Sequence, residues 1–375
     1  MRPIQMVDLK QQYQKIKPEV DAAVLSVLEN SAFINGPQVQ RFASSLAFYN
    51  GVGHVVPCAN GTDALQIAMM ALDLKEGDEV ITPSFTYIAT TEVIALLKLK
   101  PVFVDVDPKT FCLNPEAVDK AISAKTRAIV PVHLFGQSAD MERILAIAAA
   151  HHLYVIEDNA QAIGCDYYFS DGRVQKTGAM GTVSGTSFFP SKNLGCYGDG
   201  GAMMTNDSEL ASKLKMIANH GQSRRYHHDL VGCNSRLDTL QATVLEIKLK
   251  YLDQYTTARR SVADYYDAAF SGQSCLTTPF RASYTNHVFH QYTLLLAPEK
   301  RDGLKDYLQQ KGIPSMIYYP VPAHRQKMFG ASATGEKDLE VTDWLAERVI
   351  SLPIHTEMDE EQLQFITTNV LQYLN

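Results

Sequence analysis

The chain has 375 residues, 46% hydrophobic and 20% charged, with a formal net charge of -7, enough apolar material for a large core and for more than one folded unit. That charge balance argues against a general nucleic-acid binder, although local basic loops can still hold phosphate. The N-terminus lacks a basic stretch followed by an apolar run, apolar segments such as 144–150 are far shorter than a span of about 20 residues, and the six cysteines show no metal or disulfide spacing. The expectation is a cytoplasmic protein with reduced thiols, no metal, and no membrane or nucleic-acid partner.

In chain order, short β-branched or apolar runs alternate with helical-period segments between about residues 55 and 205. Strands are predicted at 79–82, 101–106, 127–133, 153–157, 184–189 and 202–205, and helices at 63–72, 90–97, 115–122 and 141–151. This is the α/β pattern of a mainly parallel sheet covered by helices. After residue 240 come helical stretches to 270, a polar connection over 271–287, a strand at 291–296, and further helices and short strands. The predicted organisation is a large sheet domain over 1–245 and a smaller C-terminal α+β domain over 246–375.

Ligands of open α/β sheets bind beyond the carboxyl ends of the strands, so the polar residues there carry the chemistry. In CANGTDAL, Gly61 and Thr62 precede an apolar helix, where free N–H groups and the helix dipole favour a phosphate; Thr62 is equally readable as an N-cap. In TPSFTYIATTE, Tyr87 is the candidate to stack on an aromatic cofactor ring, while Phe85 reads as core. Asp158 ends LYVIED, where a carboxylate pairs with a protonated pyridine nitrogen or simply caps a turn, and Gln161 follows as a second polar group. The run SFFPSKNLGCYGDGGAM sets Lys192 in a glycine-rich turn, with Ser187 five residues before it. A lysine serves as a Schiff-base nucleophile only with a depressed pKa. Standing alone, Lys192 would read as a surface loop lysine, and Ser187 as a strand-end serine.

Together, GTDAL, PSFTYIAT, VIEDNAQAIG, SFFPSKNLG with GDGGAM, and GCNSRLDTLQA resemble the DegT/StrS-type sugar aminotransferases, a branch of the fold-type-I pyridoxal 5′-phosphate (PLP) enzymes. The likeness runs from VDLKQQY through FINGP to SLPIH, nearly the whole chain. It implies Lys192 as the Schiff-base lysine, Asp158 as the pyridine partner and Gln161 as a neighbour of the ring's phenolic oxygen. It further implies Thr62 and Ser187 as phosphate ligands beside the Gly61 backbone, with Tyr87 stacking on the ring. Asn234 matches an asparagine that reaches the neighbouring subunit's phosphate site, which implies a homodimer with shared active sites.

The blocks SFFPSKNLGCYGDGGA, HGQSRRYHH and NSRLDTLQA are similar to the WbpE-type branch. Its members aminate carbon three of a UDP-linked 3-keto-N-acetylglucosaminuronic acid in lipopolysaccharide sugar pathways, and the resemblance implies L-glutamate as amino donor. His220, Arg224, Arg225, His227 and His228 are then candidates to meet a diphosphate or carboxylate, or form a solvated basic loop. Arg236 is the stronger carboxylate candidate. Tyr318 and Tyr319 stand where that branch is expected to carry a His-Tyr pair, and are expected at the substrate. A dTDP-linked 3-keto-6-deoxyhexose or a 4-keto nucleotide sugar remains an alternative acceptor. A PLP-dependent sugar dehydratase, with histidine in place of Lys192, and a non-catalytic PLP-binding protein are the rival classes.

Overall fold

A computed structural model describes residues 1–330, 334–335 and 339–374. Its centre is an eight-stranded sheet in the spatial order His54–Cys58, Gly201–Thr205, Val183–Ser187, Tyr154–Asp158, Thr126–Ile129, Glu79–Pro83, Lys100–Val104 and Thr334–Gly335. From Val183–Ser187 to Thr334–Gly335 every pairing is parallel. Gly201–Thr205 runs antiparallel to both its neighbours, so the sheet is mainly but not wholly parallel.

The central strands are largely buried because both faces are covered, and most of them are rich in apolar residues. Successive residues alternate between two cores: Ile81, Ile129 and Val155 pack with Val118 and Ile144 on one face. Val80, Ala128 and Ile156 pack with Leu65, Val93 and Leu214 on the other. That is the period-two geometry of a strand expressed as packing. The covering helices start where short polar side chains accept otherwise unpaired N–H groups. Asn60 accepts from Asp63 N at 2.8 Å, Asn114 from Glu116 N at 2.9 Å and Asp207 from Glu209 N at 2.8 Å.

Five of the six expected strands differ from those found by a residue or two at an end; the run over 127–133 stops four residues early. The run expected over 127–133 leaves the ladder after Ile129, since Pro131 has no N–H to donate, although Val132 still bridges to Asp158. The run expected over 184–189 ends at Ser187, because the chain turns there and Phe188 N bonds to Gly200 O instead.

Two N-terminal helices, Leu9–Asn30 and Pro37–Asn50, and the edge strand His54–Cys58 lay outside the expected set. The first helix buries only Gln12, Ile16, Val20 and Val27, a stripe too narrow to stand out. Both helices pack on Thr239–Leu249. Toward the C-terminus, Leu276–Thr277, Tyr292–Leu296 and Val349–Leu352 form an antiparallel three-stranded sheet. Helices Leu252–Ala269, Pro298–Gln310 and Glu360–Leu374 cover it around a separate core that includes Tyr266, Leu294, Leu308, Ile350 and Ile366.

Candidate active site

The polar residues singled out from the sequence converge at the carboxyl ends of the central strands. Asp158 closes its strand in register with Gly185 of the next, two residues before Ser187. Its buried carboxylate is held from two sides: Thr90 Oγ1 donates to Oδ2 at 2.7 Å and Ala160 N to Oδ1 at 3.1 Å. Thr90 escaped the sequence reading, because a threonine inside a helix carries no signal for its tertiary partner.

Lys192 sits on the turn after Val183–Ser187, with its N–H bonded to Phe189 O at 2.8 Å. The amine makes no hydrogen bond or ion pair among the described residues. Burial lowers its pKa from the ordinary 10.5 to about 8, and the nearby Asp158 carboxylate opposes that shift. Roughly half the amines are therefore unprotonated at pH 8, as a nucleophilic lysine requires. Lys192 also helps hold buried His290 neutral: burial is the larger influence on that imidazole, followed by the charge of Lys192.

The phosphate end is assembled by close backbone contact. The helix Gly61–Ala71 is capped by Asn60, so Thr62 is not the N-cap but lies in the first turn. No hydrogen bond among the described residues engages the N–H of Gly61, the N–H of Thr62 or the Thr62 hydroxyl. A Cβ on Gly61 would lie 2.7 Å from the Ser187 Cβ, so glycine lets the serine hydroxyl reach the same helix end. Two free N–H groups, two hydroxyls and the positive end of a helix form a donor set that suits a phosphate. That set fits PLP, with Asp158 and Lys192 placed to meet its ring and its aldehyde.

Gln161 is buried and fully committed in orientation: its Oε1 accepts from Phe135 N at 2.7 Å and its Nε2 donates to the Tyr319 hydroxyl at 3.0 Å. Tyr319, expected at the substrate, is thus tied to Gln161, and burial raises its phenol pKa. Its ring lies 6.2 Å from that of Tyr87, which is largely exposed and free to face a ring stacked on it. Tyr318, its phenol pKa also raised by burial, lines a cleft of about 610 Å³ with Ser191, Gln5, Gln291 and Gln309.

Behind Asp158, Glu157 and His133 are fully buried and 2.9 Å apart. Ala139 N donates to His133 Nδ1, so Nε2 carries the proton donated to Glu157. Glu157 also accepts from the N–H groups of Gly178, Met180 and Gly181. The sequence reading missed this pair; its only trace was the second acid in LYVIED.

The remaining expected residues lie apart. Asn234 is exposed and bridges to Asn219, while Arg236 donates to Asn219 Oδ1 at 3.2 Å. Both flank Ser235, whose Oγ accepts from Ala59 N beside the phosphate end. Arg224, His227 and His228 belong to an exposed two-stranded hairpin, with His220 just before it. Among the described residues no hydrogen bond or ion pair ties His220 or Arg224 to Lys192 or Asp158. Among the described residues no group of His, Cys, Asp and Glu could hold a metal, all six cysteines are free, and no helix is long and apolar enough to cross a membrane.

A mainly parallel sheet that presents this amine, this carboxylate and this phosphate end together defines a fold-type-I enzyme of the PLP class. Comparison with known proteins sharpens that to a family. The chain belongs to the DegT/DnrJ/EryC1/StrS aminotransferase family, whose model matches residues 14–371, and that family is PLP-dependent. It is 45% identical to UDP-2-acetamido-2-deoxy-3-oxo-D-glucuronate aminotransferase of Pseudomonas aeruginosa, covering 97% of this chain and 98% of that one. It is 43% identical to UDP-N-acetyl-3-dehydro-alpha-D-glucosamine 3-aminotransferase of Acidithiobacillus ferrooxidans, over 99% and 98% of the two chains. Among solved structures, DesV of S. venezuelae in complex with a ketimine intermediate superposes with a TM-score of 0.95 at 37% identity, over 100% of this chain and 99% of that one.

Proposed function

We propose that this aminotransferase moves an amino group from L-glutamate to the 3-keto carbon of a UDP-linked 2-acetamido-2-deoxy-3-oxo-glucuronic acid. The observation that carries the substrate assignment is the near-full-length likeness, at 45% and 43% identity, to two enzymes named for UDP-linked 3-keto 2-acetamido sugars. The chemical assignment is supported by the unpartnered Lys192 amine with its pKa near 8.

Lys192 Nζ is the group that would hold PLP covalently. Thr62, Ser187 and the Gly61 backbone would hold its phosphate, Asp158 its ring nitrogen, Gln161 its phenolic oxygen, and Tyr87 one face of the ring. When bound, PLP supplies an electron sink that makes a proton on the amine-bearing carbon removable. Lys192 Nζ takes that proton and returns it, an exchange that its lowered pKa favours near neutral pH. Asp158, fixed by Thr90 and Ala160, would set its carboxylate against the ring nitrogen. Tyr319 holds the Gln161 amide in a single orientation, and Tyr318 lines the cleft through which a sugar would enter.

The same reading takes the enzyme as a cytoplasmic homodimer. Asn234 would reach the partner's phosphate site, and Arg236, His220 and Arg224 would meet the charged parts of the nucleotide sugar. It is supported by the exposure of Asn234 and of the hairpin, whose Tyr226 and neighbouring Val231 also lie open. A division into domains 1–245 and 246–375 is supported by the separate core around the three-stranded sheet.

A panel of UDP- and dTDP-linked keto sugars, scored by the mass shift on amination with glutamate, tests the assignment. The UDP-linked 3-keto uronic acid is expected to be the best acceptor. Preference for an uncharged dTDP-linked 6-deoxy sugar would overturn it.

A further inference from the structure

A second lysine lies behind the Lys192 turn, and its surroundings are unlike those of an ordinary core residue. Lys248 is on the helix Thr239–Leu249, with 1% of its surface exposed. No carboxylate pairs with it among the described residues. Its Nζ donates to Gly195 O at 2.7 Å and stands 4.4 Å over the Tyr197 ring. Gly195 O has no other hydrogen-bond partner among the described residues. Burying an ammonium is costly, and a residue such as methionine would pack among Leu245, Leu249 and Leu252 without that cost. What the amine adds is a grip on the Gly195 carbonyl and a cation over an aromatic face.

That carbonyl belongs to the loop that carries Lys192. The loop is closed at its base, where Cys196 N bonds to Phe188 O at 2.8 Å. Inside it, Gly195 is packed so tightly on the incoming limb that a Cβ there would lie 2.3 Å from Pro190 O. A displacement of Gly195 must therefore move 189–192. Gln241, two helical turns before Lys248 and on the same face, grips the next segment. Its Oε1 accepts from Tyr197 N at 2.8 Å and its Nε2 donates to Tyr197 O at 3.3 Å. One helix face thus holds the outgoing limb at two adjacent points.

We propose that Lys248 is a positioning residue for Lys192: by holding the Gly195 carbonyl it fixes the loop that presents the reacting amine. The inference rests on Lys192 being the point of cofactor attachment. Removing the grip leaves a buried carbonyl unpaired and lets the loop relax, and small misplacements of a reacting group are costly.

The test uses the full-length enzyme as Lys248→Met and Lys248→Gln, with Lys192→Ala as a control. Three readouts are taken: borohydride trapping of PLP located by peptide mass, the pH midpoint of the visible absorption of bound PLP, and amide hydrogen exchange without PLP. Lys248→Met is expected to lower kcat about tenfold or more with KM for glutamate nearly unchanged. It should also shift the absorption midpoint and speed exchange in 188–196 about tenfold, while the helix Ser208–Ala218 exchanges as before. Lys248→Gln, which keeps a donor but no charge, should recover part of each effect. If the Met variant does not fold, the Gln variant decides: an intermediate midpoint and intermediate local exchange support the proposal. A wild-type midpoint and wild-type exchange at 188–196 in the folded variant would overturn it, as would faster exchange spread over the whole chain. Trapping of PLP on a residue other than Lys192 in the unmodified enzyme would sink the attachment assignment instead, so the two failures are distinguishable.

Discussion

The Lys192 pocket and the basic hairpin around residue 224 were both singled out from the sequence, and they have opposite structures. In the pocket, strand ends, a helix start and a tight turn bring Lys192, Asp158, Gly61, Thr62 and Ser187 together within one chain, and supporting groups are buried behind them. The hairpin is exposed and, among the described residues, makes no hydrogen bond or ion pair with Lys192 or Asp158. The candidate cofactor residues are thus gathered by the core of the chain, whereas the candidate groups for a diphosphate or carboxylate are presented outward. A pocket built into a sheet inherits the rigidity of the sheet, and a hairpin must gain its geometry from whatever covers it.

The comparison is broken most directly at Lys192. Lys192→Ala is expected to abolish covalent PLP and to lower turnover roughly 10⁴-fold; a variant that still aminates the keto sugar at a comparable rate would sink the pocket assignment. In the unmodified enzyme stripped of PLP, the rate of cofactor attachment should rise with pH up to about 8 and then level off, because the free amine is the reactive form and burial sets its pKa there. A rate still climbing toward 10.5, the ordinary value, would mean that the amine is not buried when it reacts.

Asp158→Asn is the next largest step. The amide oxygen can still accept from Ala160 N, while the amide nitrogen in place of Oδ2 can donate to Thr90 Oγ1 if that hydroxyl turns its own proton to Thr86, so folding stability should change by about 1 kcal/mol. Turnover should fall about 100-fold, because the negative charge opposite the ring nitrogen is lost. Equal turnover in the two proteins, measured at saturating PLP, would remove Asp158 from that role.

The smallest effect is expected at the hairpin. Arg224→Ala should leave PLP attachment intact and stability within about 0.5 kcal/mol, as for an exposed side chain. It should raise KM for the nucleotide sugar about fivefold, with the difference shrinking as salt is added. Loss of PLP attachment in this variant would show that pocket and hairpin are one unit, and the contrast between them would fail.

Much of the fold was legible because covered parallel strands read as unbroken apolar runs, with turn residues marking their ends. The runs near Val80, Val102, Val155 and Ala202 were placed to within a residue or two. Two helices before residue 51 were not, since their buried stripes are narrow and their partner is a helix some 200 residues later. Pro131 and the turn at Phe188 shortened two strands, each for a local hydrogen-bonding reason. At the site, Lys192, Asp158, Gly61 and Ser187 were found because strand ends are where ligands bind. Thr90, Glu157, His133 and Lys248 were not, because each acts on a partner distant in sequence and none lies in a recognisable motif. Thr62 was left open between two roles, and the Asn60 cap excludes one of them.

By itself the amino-acid sequence determined the class of sheet, the positions of the polar residues at its strand ends and the identity of the one lysine in the glycine-rich turn. Periodicity and turn chemistry are local, so a linear chain displays them. Only the tertiary structure decided that this lysine's amine would be unpartnered, while the amine of Lys248, its pKa likewise lowered to about 8 by burial, is tied to Gly195 O. It also decided that Gly61 would touch Ser187. Burial, desolvation and close approach are properties of segments brought together from distant parts of the chain, and no stretch of sequence contains them.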